Sequence, residues 1–176
     1  IVISQKEASK KKSKKKDVSK DETNESDKSV LFNLMQLYTY ELSKYSDETA
    51  EIELNEHGLY NIKYFDYFWI EKDRFPFILK YENELVGFVL VRFNEDNMYE
   101  ISEFFVLPKF RRTKAGTFMA NEVFKKFKGN WEIRTLLKNE TAQQFWRNTI
   151  RSFSNDEFEE KYIRNNSRLA FYLESK

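Results

Sequence analysis

Hydrophobic positions along this 176-residue chain change their spacing several times, and each change marks an element. Leu31, Leu34, Met35, Tyr38 and Leu42 recur at three- and four-residue steps, which predicts a helix over about residues 30–45 with one stripe on a core. Asp27 or Ser29 can cap it. FILKY (Phe77–Tyr81) and LVGFVLVRF (Leu85–Phe93) are apolar runs separated by the turn Glu82-Asn83-Glu84. A second polar break, Asn94-Glu95-Asp96-Asn97, leads into a third run, MYEISEFFVL (Met98–Leu107). Three strands joined by short turns make a meander. Pro108 ends the last of them, because proline donates no amide hydrogen and fixes its own backbone.

Past a basic loop, Phe118, Met119, Val123 and Phe124 give a helix that opens near Ala115 and is terminated by Gly129. Trp131–Leu137 is a further strand. Asn139 begins another helix, with Ala142, Phe145, Trp146 and Ile150 on one side. Phe158–Arg164 and Arg168–Leu173 are strands joined by the hairpin turn Asn165-Asn166-Ser167. This order predicts an α/β chain of the α+β kind, one mixed sheet with helices on both faces. Ile1–Ser4 reads as a short strand or a tail. Residues 5–28 hold too little apolar surface to offset the entropy of ordering and are expected to be mobile. The division is thus a short strand or tail with a lysine-rich segment over 1–28, then one domain over 29–176.

Composition narrows the function classes. Seventeen Phe and ten Tyr imply an aromatic core, and four Gly with two Pro argue against a turn-dense sandwich. The absence of cysteine removes disulfides, thiolate metal sites and a cysteine nucleophile, and fits a cytoplasmic location. No apolar run approaches the roughly 20 residues that span a bilayer, so no membrane partner is expected. In IVISQKEASKKK the charges follow a very short apolar patch, which is the wrong order for a signal peptide, and the chain reads as soluble. The net charge of +1 hides an asymmetry: residues 1–20 hold eight lysines against Glu7 and Asp17, while the rest holds 22 bases against 27 acids. A basic arm can touch nucleic acid or anionic lipid. Without interleaved aromatics a solvated segment is the better reading, and nucleic acid is not the expected partner.

His57 is the single histidine, in the polar setting Asn55-Glu56-His57-Gly58, so no zinc site can be completed and no metal is expected. No Gly-x-Ser-x-Gly elbow and no Gly-Lys-Ser/Thr phosphate loop occurs, which removes hydrolase and triphosphatase readings. The chemistry gathers instead in ISEFFVLPKFRRTKAGTFMAN, Ile101 to Asn121. There an apolar strand stops at Pro108, and Lys109, Arg111, Arg112 and Lys114 precede a helix start. Free amides beside fixed cations suit a phosphate-bearing ligand. Glu103 lies inside that apolar strand, where a carboxylate is costly without a partner. It is either an ion-pair partner of Arg92 or Arg134 on neighbouring strands or a group with a chemical task. The stretch LYNIKYFDYFWIEKDRF concentrates Tyr60, Tyr64, Phe65, Tyr67, Phe68 and Trp69 around Asp66 and Glu71. That is a packed aromatic segment or a wall for cationic amines.

The central loop resembles the acyl-CoA-binding motif of the GNAT superfamily of N-acetyltransferases, Arg/Gln-x-x-Gly-x-Gly/Ala after a strand that ends near a proline. Arg111 and Gly116 match, and Lys114 stands where the first glycine is usual. The order of elements over about 28–173 is also similar, with a lysine-rich insertion where the family runs almost directly from first strand to first helix. The resemblance implies an acyl-CoA N-acyltransferase-like fold with a central, mostly antiparallel sheet, and acetyl-CoA as cosubstrate. It implies that the strand-end positions Phe105, Val106 and Leu107 hold the acyl and pantetheine arm. Arg111, Arg112, Thr113, Lys114, Ala115, Gly116 and Thr117 would then cradle the pyrophosphate. Asn139 would help to hold the arm, Glu103 would accept the proton of the amine, and Tyr64, Tyr67 and Trp69 would line the acceptor site. Direct transfer to a primary amine in a ternary complex is expected, a small molecule before a protein side chain. Trp146 stands where the family often has an acidic tyrosine, and indole is no useful acid. That departure and Lys114 keep open a non-catalytic CoA- or partner-binding module. A homodimer is left open as well.

Overall fold

The computed structural model describes residues 2–5, 25–45, 52–165 and 167–176. The lysine-rich arm and Asn166 of the expected hairpin turn lie outside the described residues, as does Ile1 of the first strand. Eleven elements are described: β1 (Val2–Gln5), α1 (Glu25–Leu42), the one-turn α2 (Tyr67–Ile70), β2 (Arg74–Tyr81), β3 (Glu84–Phe93), β4 (Tyr99–Val106), α3 (Ala115–Lys126), β5 (Gly129–Leu136), α4 (Glu140–Ser154), β6 (Phe158–Ile163) and β7 (Arg168–Ser175). The first helix starts at Glu25, so part of the segment expected to be mobile is helical.

The seven strands form one sheet in the order β1-β2-β3-β4-β5-β7-β6. β1 joins β2 in parallel and β4 joins β5 in parallel, while the other four pairings are antiparallel. The mixed sheet expected from the pattern is therefore present, and it is mostly antiparallel, as the resemblance implied. Its central strands read as unbroken apolar runs because both faces are covered. Phe77, Leu79, Val89 and Val91 point into a core built with Met119, Val123 and Phe124 of α3 and Trp146 and Ile150 of α4. Ile78, Phe88, Leu90 and Phe105 point the other way, against Leu31, Leu34 and Met35 of α1 and Phe68 of α2. Aromatic rings knit the first core: Trp131 sits 4.9 Å from Phe124 and 5.3 Å from Tyr99 between ring centroids.

Two irregularities decide what the fold can do. The ladder of β3 and β4 shifts register, Leu90 facing Glu103 but Val91 facing Ile101, so Ser102 is an extra residue in β4. Beyond that bulge β4 parts from β5, for their pairing is confined to Tyr99–Ile101 against Trp131–Ile133. The sheet opens into a V with β3 as the remaining partner of the end of β4.

Gly87 fixes that remaining contact. A Cβ there would lie 2.1 Å from the carbonyl oxygen of Phe105 and 3.0 Å from the Cα of Val106. Gly87→Ala should therefore cost about 2 kcal/mol or more, because backbone on both sides has to yield. Urea denaturation of the two proteins measures it, and an unchanged midpoint would show that the strands do not approach this closely.

Candidate active site

The bulge explains why two acids share one face. In a strand of strict alternation, residues three apart point to opposite faces, which would separate Glu100 from Glu103. With Ser102 as the extra residue, Ile101 packs into the α3/α4 core while Glu100 and Glu103 both line a pit of about 730 Å³ on the α1 side. Glu100 is the ion-pair partner: its carboxylate lies 2.7 Å from Arg92 and 4.0 Å from Arg134. The pairing considered for Glu103 thus belongs to its neighbour three residues back.

Glu103 instead accepts a hydrogen bond from the Tyr38 hydroxyl. Burial pushes its carboxyl up to about 7, an effect that the Tyr38 bond opposes and that the nearby Glu100 charge reinforces. Burial, and then the Glu103 charge and bond, raise the Tyr38 phenol well above its ordinary range, so it stays a neutral donor. The Tyr38 ring is set by an edge contact with Phe88 and a tilted one with Phe105, each 5.8 Å between centroids. Its helical spacing marked Tyr38 as a core residue, and nothing local in the sequence signals that its hydroxyl reaches β4.

On the opposite side of the V lies a cleft of about 660 Å³. Phe104, Phe105 and Val106 form one wall, and Asn139, Ala142, Phe145 and Trp146 form the other. Tyr38, Leu42, Phe104 and Trp146 line both cavities, so pit and cleft are two ends of one passage. Leu107 donates its amide to Val86 at 2.9 Å. By the alternation of an antiparallel ladder, Phe105 and Leu107 then bond toward β3, and Phe104 and Val106 direct their amides into the V. Of the three strand-end amides expected there, only that of Val106 has this direction. Phe104, a position that the sequence did not single out, supplies the second.

The loop ends at the mouth of the cleft. Arg112 and Lys114 both adopt left-handed backbone, with φ of 65° and 68°. Lys114 is the cap residue of α3 and stands where glycine would be unstrained. Arg112, Lys114, Gly116 and Thr117 line the cleft, and the amides opening α3 have no acceptor in a preceding turn. A Cβ on Gly116 would lie 3.1 Å from the Phe145 ring, so a glycine keeps the helix close to α4. Arg111 also reaches the cleft, but its guanidinium bonds the Val106 carbonyl at 2.9 Å and Glu41 of α1 at 2.7 and 2.8 Å. Thr113 and Ala115 do not line the cleft. Thr113 closes the turn onto the Phe110 carbonyl at 2.7 Å, and Ala115 is buried under α3.

Asn139 caps α4, its side chain accepting from the Ala142 amide at 3.1 Å, and it lines both cavities. Trp146 is buried, 4.8 Å from the Phe104 ring, so indole fills the end of the passage. Of the aromatic wall, Tyr64 lines the pit, but Tyr67 and Trp69 do not. The single turn of α2 buries Phe68 and turns Tyr67 outward beside Arg74, while Trp69 stacks on Phe65 at 4.9 Å. The acids of that segment are also spent elsewhere, Asp66 on Lys28 and Glu71 on Arg74. Among the described residues no cluster of His, Asp and Glu could hold a metal ion, and no helix is long and apolar enough to cross a membrane.

Among curated proteins no sequence matches the chain. A GNAT-family acetyltransferase of Staphylococcus aureus has a similar structure, at 16% identity, with 87% of this chain and 96% of that one covered and a TM-score of 0.58. An Escherichia coli N-acetyltransferase acting on an alanine of a ribosomal protein is similar at 10% identity, 86% and 90% coverage and a TM-score of 0.56. A spermidine N-acetyltransferase variant from Vibrio cholerae is similar at 11% identity, 85% and 90% coverage and a TM-score of 0.54. These likenesses concern the fold. The model of the Acetyltransferase (GNAT) family matches residues 34–149, which run from α1 through the V of the sheet into α4, and the chain belongs to that family.

Proposed function

We propose that this protein transfers an acetyl group from acetyl-CoA to a primary amine by direct attack within a ternary complex. The observation that carries the reading is the Glu103–Tyr38 pair at the junction of two cavities. Such a transfer needs an amine freed of its proton, a polarised thioester carbonyl, and a proton for the departing thiolate.

The cleft fits the cosubstrate. Its inner walls are apolar and aromatic, as a pantetheine arm requires, and its mouth presents Arg112, Lys114 and the first amides of α3 to a pyrophosphate. Acetyl-CoA brings the activated acyl group. The Val106 and Phe104 amides are the donors directed toward its carbonyl, and one such preorganised donor is worth about 3 kcal/mol of barrier. Glu103 serves as the base, since a carboxyl near 7 is half ionised where an ammonium must be deprotonated. Tyr38 positions that carboxylate by its hydrogen bond. Once Glu103 holds the proton, its charge no longer opposes ionisation of the phenol, and the same hydroxyl borders the cleft where a proton must be returned. A phenol reaching the passage from α1 answers the absence of one at Trp146 and weakens the case for a non-catalytic module. Without cysteine, no thioester with the enzyme is invoked.

Two tests bear on this reading. Arg112→Glu with Lys114→Glu should abolish the calorimetric signal of acetyl-CoA binding while leaving the circular dichroism spectrum intact; retained affinity would move the pyrophosphate elsewhere.

Glu103→Gln should lower kcat/KM by roughly 100-fold near neutral pH. The deficit should shrink at high pH, where the amine arrives deprotonated, and acetyl-CoA affinity should hold. Stability should move the other way. A carboxyl raised from 4.5 to about 7 favours the folded state below pH 4.5, and that contribution is lost as pH rises through 7. Glutamine does not ionise, so at pH 8 the variant should be more stable than the parent by at most about 3 kcal/mol, and equal to it at pH 4. A variant less stable at every pH, with full turnover, would make Glu103 a structural ion-pair member and end the assignment.

A further inference from the structure

Trp146 is the residue that the proposed chemistry leaves without a task. It stands at the neck where cleft and pit meet, and its indole is no useful acid. Six residues line both cavities there: Tyr38 and Leu42 from α1, Phe104 from β4, and Asn139, Ala142 and Trp146 from α4. The last three follow at steps of three and four, so one stripe of α4 faces the neck. Within that stripe a small residue, Ala142, is followed one turn later by the largest of the side chains.

The indole has nowhere to retreat. Its ring lies 4.8 Å from Phe104 and 4.9 Å from Phe145 between centroids, edge-on to both. Phe104 and Phe145 are themselves 5.4 Å apart, so the three rings close on one another. Phe124 stands at 6.5 Å and is fully buried, as is Ile150 one turn further along α4. A core packed this densely leaves no room into which the ring could swing.

A thioester carbon has three substituents in one plane and is attacked across that plane. On the acetyltransferase reading its oxygen meets the Phe104 and Val106 amides, its sulfur lies back along the cleft, and the amine arrives from Glu103. The acyl chain is left with the direction away from β4, toward the opposite wall, where α4 presents Ala142 and Trp146.

We infer that Trp146 sets the length of the acyl group: the indole stops the chain at two carbons and excludes longer acyl-CoA donors. This rests on the acetyltransferase reading and narrows its donor. A methylene too many in an apolar site changes preference by about 10-fold or more. An apolar hole opened in such a core stays dry and takes hydrocarbon, so a smaller residue at 146 should admit what the parent rejects.

Calorimetric titration with CoA, acetyl-CoA, butyryl-CoA and hexanoyl-CoA tests this without an acceptor. The parent should bind acetyl-CoA about as tightly as CoA, butyryl-CoA at least 10-fold more weakly, and hexanoyl-CoA more weakly again. Trp146→Leu should bind butyryl-CoA at least 10-fold more tightly than the parent does, with Trp146→Phe between them. Both variants keep an apolar side chain in the core, which spares much of the stability that truncation to alanine removes. A tryptophan that only fills the core would lower the melting temperature when shrunk and leave the ranking by chain length as it was. That result overturns the inference. So does a parent that takes butyryl-CoA as readily as acetyl-CoA, an outcome that needs no variant to fold. A parent that binds none of the four sinks the inference and the acetyl-CoA reading together. The expected ranking, without CoA release across a panel of primary amines and peptide termini, would leave the stop standing and sink the transferase reading alone.

Discussion

One extra residue in one strand sets the terms for the rest of this molecule. With Ser102 inserted opposite the β3 ladder, β4 changes the face that it offers to each cover layer halfway along its length. Before the bulge, Ile101 feeds the α3/α4 core; after it, Phe105 feeds the α1 core and Glu103 joins Glu100 on the same side. A bulge also bends and twists its strand, and β4 leaves β5 directly after it. The passage between pit and cleft is the space left by that divergence. Gly87 then holds the freed end of β4 against β3 by a contact too close for any side chain. Rigidity on one side and separation on the other leave the amides of Phe104 and Val106 facing the V.

The same geometry accounts for the chemistry of Glu103. A part-buried acid would ordinarily find a cation, and Arg92 and Arg134 stand near; yet Glu100 occupies the first and Glu132 the second. What remains for Glu103 is a neutral phenol and a second negative charge, so desolvation is only partly offset. A structural carboxylate would be better served by an arginine. On the proposed reading the unfavourable environment suits a base for an ammonium, since a carboxyl held near 7 binds and releases a proton at similar cost.

Sequence periodicity recovered the element order because apolar runs, proline and polar turns act locally. The meander, the crossover helix and the closing hairpin needed nothing beyond those signals. Where the reading failed, the cause was a contact between distant segments. No local pattern marks Ser102 as a bulge, since it sits in an apolar run that alternates acceptably without one. Glu103 could therefore be named as costly but not separated from Glu100 in its partners. Tyr38 fits a helical stripe so well that its hydroxyl drew no notice. Tyr67 and Trp69 failed for the opposite reason: the segment is aromatic on every side, and a single turn of helix faces only some of those rings inward. The loop after Leu107 was legible as a cationic helix start, but not that Arg111 would be tied to a helix 70 residues earlier.

That tie joins both halves of the site to one helix. Tyr38 and Glu41 are three residues apart on α1, hence neighbours on one face. Tyr38 bonds Glu103 in the pit, and Glu41 bonds Arg111 at the mouth of the cleft. The two contacts differ in strength. The Arg111–Glu41 pair has side chains 43% and 31% exposed, and an ion pair so wetted is worth at most about 1 kcal/mol. On the proposed reading a pyrophosphate with two charges can outcompete one carboxylate for that guanidinium, so Arg111 would be held in reserve at the mouth and not withdrawn from it. The Tyr38–Glu103 bond is shielded by the rings of Phe88 and Phe105 and has no such competitor. On the proposed reading, exchange at the outer contact proceeds while the inner one keeps Glu103 in place, so that a single helix would serve both a cosubstrate that comes and goes and a carboxylate that must not move.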